Sequence, residues 1–170
     1  MPGNEPVLPD VLRPGLRLVV CGTAAGTRSA RERAYYAHPQ NHFWRVMHEA
    51  GVTPRRLLPE EYALLPDYGV GLTDICKHAF GADSDLLRHD FDAEGLGLRI
   101  AEAAPGMLLF NGKLAAKRFY GRGNMDYGFQ PHGIGATRVF VAPSTSRLAR
   151  RYWDQQIWME ALADAGYQPA

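Results

Sequence analysis

The chain has 170 residues, a length that suits one domain and lets it bury a substantial core. Its 46% hydrophobic and 22% charged residues are ordinary for a globular protein, and no apolar run approaches the roughly 20 residues of a membrane helix. A formal charge of +1 singles out no partner class, and the N-terminus lacks the basic, apolar, small-residue order of a secretory leader, so a cytoplasmic monomer away from membranes is expected.

Residues 1–15 carry four prolines and little periodicity, and they read as an irregular arm ahead of one domain spanning 16–170. Leu16 to Gly22 is an apolar, β-branched run ending in glycine, which argues a buried strand. A small-residue turn, Gly22 to Gly26, leads into a polar loop through Arg33. Between Asn41 and Ala50 the apolar Phe43, Trp44, Met47 and Ala50 recur at helical spacing, and Gly51 ends the helix. Pro59 to Leu65 predicts a short helix and Tyr68 to Thr73 a glycine-weakened strand. A helix is expected from Asp92 to Ala103, a strand from Gly106 to Phe110, and a helix from Lys113 to Tyr120. Thr137 to Val141 is the last strand, and an amphipathic helix from Trp153 to Ala165 closes the chain. Strands alternating with helices imply an α/β fold: a three-layer αβα sandwich around a four-stranded, mostly parallel sheet.

Sites in such folds lie beyond the carboxyl ends of the strands. Four segments fall there: Gly22 to Gly26, Tyr35 to Trp44, Phe110 to Lys113, and Ala142 to Arg151. Small turns, an aromatic, a primary amide and a hydroxyl–arginine loop together suit an extruded nucleotide. The aromatic stacks on the base, the amide reads its edge, and hydroxyls and arginines hold phosphates. Of the 19 basic residues only Lys77, Lys113 and Lys117 are lysines, and arginine's planar fork suits phosphate.

Ala37-His-Pro-Gln-Asn-His-Phe-Trp44 after a strand and a GxxxG turn, Phe110-Asn-Gly-Lys113, and Pro143-Ser-Thr-Ser-Arg147 occur in that order. Together they resemble the uracil-DNA glycosylase superfamily, in particular its mismatch-specific uracil/thymine and its hypoxanthine branches. The resemblance covers about Leu16 to Arg151 and implies a DNA-repair glycosylase working in base excision repair. Such an enzyme flips uracil or another deaminated base out of DNA and hydrolyses its N-glycosidic bond, with no cofactor and no metal. By position, Tyr36 falls where the family stacks an aromatic on the base, with Gly22 and Ala24 beside it. Asn111 falls on the asparagine that reads the base edge, donating to uracil O4 and accepting from N3–H. Ser144, Thr145, Ser146, Arg147 and Arg150 fall on the loop that enters the duplex, where Arg147 or Leu148 would fill the gap. Tyr36 packing under a loop, an ordinary Asn-Gly turn and a hydroxyl-rich helix start are the plainer alternatives.

One departure stands out. Mismatch-specific relatives read Gly-Ile-Asn-Pro-Gly in the first motif, where the asparagine positions water; here Gly22-Thr23-Ala24-Ala25-Gly26 puts Ala24 in its place. The hypoxanthine branch also lacks that asparagine, and an asparagine in the His-Pro segment is its proposed substitute. Asn41 is therefore the first catalytic candidate, with helix capping as its plainer role. Asp74 at a strand end is the second, Thr23 lies in the same turn, and His38 orients the loop. Hypoxanthine or mismatched thymine as substrate, or a low-turnover sensor of damaged or abasic DNA, are the alternative functions.

Other classes fit poorly. Ser144 with His132 lacks the Gly-x-Ser-x-Gly elbow of a hydrolase. The histidines and the two cysteines, Cys21 and Cys76, show no zinc-ligand spacing, and reduced thiols are expected. Gly22 to Gly26 lacks the full dinucleotide fingerprint.

Overall fold

Strands built from almost wholly apolar runs form the centre of the molecule, whose computed structural model describes residues 5–170. They are β1 (Leu18–Gly22), β2 (Val70–Asp74), β3 (Met107–Asn111), β4 (Gly128–Phe129) and β5 (Arg138–Ala142). The sheet order is β2-β1-β3-β5-β4; the first four are mutually parallel and β4 pairs antiparallel with β5. A four-stranded sheet was expected; the sheet has five strands because a two-residue strand extends its edge. Two residues are too short to leave an alternating pattern in the sequence.

Side chains alternate between the two faces of the sheet with period two. Leu18, Val20, Leu72, Leu109 and Phe140 enter a core shared with α2 (Phe43–Glu49) and α5 (Gln155–Asp164). Val19, Cys21, Leu108, Phe110 and Val141 enter the opposite core with α3 (Ala93–Ala103) and α4 (Lys113–Tyr120). Both faces are thus covered, which explains why these strands read as continuous hydrophobic runs. Gly95 and Gly97 do not interrupt α3, because the Asp92 carboxylate caps it by accepting from the Gly95 N–H at 2.9 Å.

Three elements differ from expectation. The polar stretch after Gly26 contains a one-and-a-half-turn helix, α1 (Thr27–Glu32), which buries only Ser29 and so has no apolar stripe to reveal it. The short helix expected at Pro59 to Leu65 runs on to Tyr68 as a 3₁₀ helix that contains Pro66. The closing helix starts at Gln155, where Asp154 caps it, and a 3₁₀ segment over Arg147–Tyr152 precedes it.

Residues 1–4 of the N-terminal arm lie outside the described residues. The rest of the arm lies along β2: Val11 and Leu72 exchange backbone hydrogen bonds of 2.9 and 3.0 Å. Gly71 permits that approach, since a Cβ there would stand 2.5 Å from the Val11 carbonyl oxygen. Asp10 anchors the arm through Lys77 at 2.6 Å, Arg99 at 3.0 Å and the Thr73 hydroxyl at 2.7 Å. Among the described residues no helix is long and apolar enough to cross a membrane.

Candidate active site

Register brings the carboxyl ends of the strands level. Gly22 of β1 pairs with Asp74 of β2, Cys21 with Phe110, and Asn111 of β3 with Ala142 of β5. Over these ends lies a cavity of about 950 Å³ whose wall includes Gly22, Tyr36, Asp74, Asn111 and Thr145.

Tyr36 reaches it on a loop that is tied down at both ends. The Ala37 N–H donates to the Ser29 hydroxyl at 3.0 Å, and the Trp44 indole N–H donates to the Tyr35 carbonyl at 3.1 Å. Tyr36 itself has φ +52°, a left-handed conformation that a non-glycine residue adopts at a cost. Its ring packs on Phe43, 4.3 Å between centroids. The hydroxyl points toward the Asn111 carboxamide without closing a hydrogen bond, and it is buried without a partner. Burial first, and the Asp74 carboxyl next, push the phenol well above its usual range. It is a neutral donor that closes no hydrogen bond among the described residues, with the Asn111 side chain beside it.

Asn111 is buried and held by one residue. Its Nδ2 donates to the Thr145 hydroxyl at 2.9 Å, and its Oδ1 accepts from the Thr145 N–H at 2.9 Å. Two such partners within a single residue can be met only by the edge of the amide where N–H and C=O lie side by side. The edge expected to read uracil at two points is therefore turned to Thr145. One Nδ2–H and one Oδ1 lone pair remain, and they diverge from one another.

Asp74 sits where β2 ends, against Gly22: a Cβ at that glycine would lie 2.7 Å from Asp74 Oδ1 and 3.4 Å from the Tyr36 hydroxyl oxygen. Burial raises its carboxyl from 3.8 to about 6, with Lys77 opposing and Asp10 adding to the rise. The carboxyl and the orphaned phenol thus crowd the same glycine at the floor of the cavity.

Comparison with known proteins supplies the family. The family model of the uracil DNA glycosylase superfamily matches residues 9–164. The chain belongs to that superfamily. The coarse activity that comes with membership is that of a DNA glycosylase, a hydrolase acting on DNA. A solution NMR structure from Methanosarcina acetivorans, described there as a candidate uracil DNA glycosylase, is similar at 23% identity with a TM-score of 0.62. The match covers 93% of this chain and 96% of that one, and it shows the shared fold.

Within this superfamily member the remaining sequence candidates divide by what already occupies them. The Thr23 hydroxyl donates to Asp83 at 2.7 Å, and Ala24 contributes a bare methyl to the wall. His38 accepts from the Gln40 N–H at 3.1 Å, and burial, Arg147 and Arg28 lower its pKa. Asn41 borders the cavity, but its Oδ1 accepts from the Phe43 N–H at 3.0 Å at the start of α2. Its amide N–H groups and one Oδ1 lone pair are left over, but a neutral amide is too weak a base to take a proton from water. In the loop after β5, Ser144 and Ser146 accept from the N–H groups of Ser146 and Leu148, both at 3.2 Å, while Arg147, Leu148 and Arg150 are exposed. The Thr145 carbonyl accepts from the His42 N–H at 3.0 Å, which joins this loop to the Tyr36 loop.

Sequence reasoning missed two parts of the site. Thr145 was placed on the DNA-facing surface, but it is buried as the holder of Asn111. Lys113 lies 4.3 Å over the Tyr127 ring, and both border the cavity; the Phe110–Lys113 segment contained the lysine but gave no signal for its aromatic partner. Cys21 and Cys76 are buried, unbridged thiols. Among the described residues no cluster of three or more His, Cys, Asp or Glu is placed to hold a metal.

Proposed function

We propose that this protein is a monofunctional glycosylase that extrudes uracil from DNA and hydrolyses its N-glycosidic bond, leaving an abasic site for base excision repair. The observation that carries the reading is the meeting of a buried carboxyl, Asp74, with a buried hydroxyl, Tyr36, that has no partner among the described residues, beside the Asn111 carboxamide.

The extruded base stacks against the Tyr36 ring. The free Nδ2–H of Asn111 and the Tyr36 O–H donate to a ring carbonyl of the base. Cytosine offers an amino group where uracil offers O4, so a donor there disfavours it. As the C1′–N1 bond breaks, its electron pair passes to the pyrimidine ring, and those two donors stabilise the uracil anion. The sugar develops oxocarbenium character, as in glycoside hydrolysis. Water adds to C1′ and gives its proton to the Asp74 carboxylate, which burial has already made more basic than a surface aspartate. Asp74 takes this role in place of Asn41, whose neutral amide is too weak a base to take the proton.

Hypoxanthine is the second reading, because a cavity of about 950 Å³ has room for a purine and that base shows the same carbonyl and ring N–H edge. The test is a panel of oligonucleotides carrying uracil, hypoxanthine or thymine opposite guanine, in duplex and single strands, treated with protein and then alkali. Breaks at uracil at the highest kcat/KM support the reading. Breaks chiefly at hypoxanthine replace it with the second, and a gel shift with intact DNA replaces both with a damage-binding protein.

A further inference from the structure

Beside the base slot lies a second cavity, of about 640 Å³, whose wall holds Arg45, Arg56, Arg147 and Arg150 together with Asn41 and His42. No acidic side chain lines it. Arg13, Arg28, Arg55, Arg99 and Arg138 each face a carboxylate, whereas none of these four does among the described residues. The contrast is sharp at adjacent positions: Arg55 grips both oxygens of Glu61 at 2.8 and 2.6 Å, and Arg56 next to it is unpaired. Four guanidiniums around one hollow repel each other unless an anion joins them, and their fork geometry suits phosphate oxygens.

One of the four is held in place. Arg45 donates through Nη2 to His42 Nδ1 at 2.6 Å, and the His42 ring stacks on Trp153 at 4.3 Å. Arginine is always a donor, so Nδ1 accepts and the imidazole proton sits on Nε2. Asn41 and Arg147 belong to the walls of both cavities, so an anion here lies next to any nucleotide in the slot.

We infer that this arginine-lined cavity is a phosphate subsite, and that it grips a backbone phosphate of the DNA strand next to the extruded nucleotide. Arg45 and Arg56 thereby carry the DNA footprint from the duplex-entering loop onto α2 and the turn after it. This rests on the DNA-glycosylase reading for its choice of phosphate source, but it does not depend on which base is cleaved.

The test measures binding of an undamaged duplex from about 50 to about 200 mM salt, for the wild-type protein, Arg56→Gln, and Arg45→Gln/Arg56→Gln. Loss of one phosphate contact lowers the slope of log K against log salt by about 0.9, and the double variant is expected to show that loss. Arg56→Gln, on an exposed side chain, shows part of it, and Arg45→Lys/Arg56→Lys restores most of the slope. An unchanged slope in a folded double variant overturns the inference. Inorganic phosphate, titrated at constant ionic strength, is the second arm. If it raises the melting temperature of the wild type but not of the variants while the DNA slopes agree, the cavity takes a free anion and the strand assignment falls. Base cleavage by the wild type is scored separately, so failure of the glycosylase reading leaves a distinct signature.

Discussion

Thr145 holds Asn111 at both ends of its carboxamide, through its backbone N–H and its hydroxyl, each at 2.9 Å. The pair fixes which atom of the amide is oxygen and which is nitrogen, so it sets the sign of what Asn111 shows to a base. Asn111→Asp keeps the clamp, because the Thr145 hydroxyl can turn to donate, but it places an acceptor where a donor is required. The variant is expected to fold, with a melting temperature lowered at neutral pH by a second buried carboxylate near Asp74, and to lose about 10²–10³-fold in uracil cleavage. Uracil kinetics equal to wild type would remove Asn111 from base reading.

Thr145→Val tests the clamp itself. It keeps the backbone N–H but leaves a buried Asn111 donor unsatisfied, at a cost of about 1–3 kcal/mol in urea unfolding. It also frees the amide to rotate, so discrimination against cytosine is expected to fall. A variant as stable and as selective as the parent would mean that the amide is held elsewhere.

Asp74 makes a prediction in pH. Cleavage requiring the carboxylate rises through pH about 6 and levels above it, and Asp74→Asn is expected to abolish that limb and slow turnover by about 10²–10⁴-fold. Stability runs the other way. Below pH about 3.8 the group is protonated in folded and unfolded chains alike; as pH rises to about 6 the unfolded chain ionises first and the native state loses about 3 kcal/mol. Asp74→Asn escapes this loss, so it is expected to be more stable than wild type above pH 6 and equal to it in acid. Denaturation curves at pH 4 and 7.5 check the sign.

Tyr36 separates stacking from donation. Tyr36→Phe removes a buried hydroxyl that has no partner and is expected to leave the fold as stable or more so, while slowing cleavage. Tyr36→Ala loses in addition about 1–3 kcal/mol of base stacking, read as weaker binding of uracil-containing DNA. If Tyr36→Phe proves destabilised, its hydroxyl has a partner in the protein and is not kept for a base.

The sheet was legible in the sequence because β1, β3 and β5 are buried on both faces and their apolar runs say so. The slot was legible as a set of strand ends and a three-motif order. What stayed hidden depends on distance along the chain or on burial. Asn111 and Thr145 are 34 residues apart, and no spacing rule joins them. Thr23 looked free in the sequence, and only the fold shows Asp83 occupying it, whereas the helix-start role weighed for Asn41 is seen in its bond from the Phe43 N–H. Asp74 was legible as a strand-end candidate, but its burial and its closeness to Gly22 and Tyr36 come only from the fold.

Leu148 is 63% exposed on the segment after β5, where burial gives no reason for an apolar side chain. Leu148→Ala is expected to leave the melting temperature unchanged and to weaken cleavage of duplex uracil more than single-stranded uracil, since only the duplex has a stack to hold open. Equal losses on both substrates would deny it a wedge role.

The most direct test of the account measures free uracil released from a uracil-containing duplex by wild-type protein and by Asp74→Asn under single-turnover conditions. The account predicts one uracil released per alkali-labile site with the wild type and a loss of at least about 10²-fold with the variant. Release by the variant at the wild-type rate, or no uracil released by either while the DNA is bound, would contradict it.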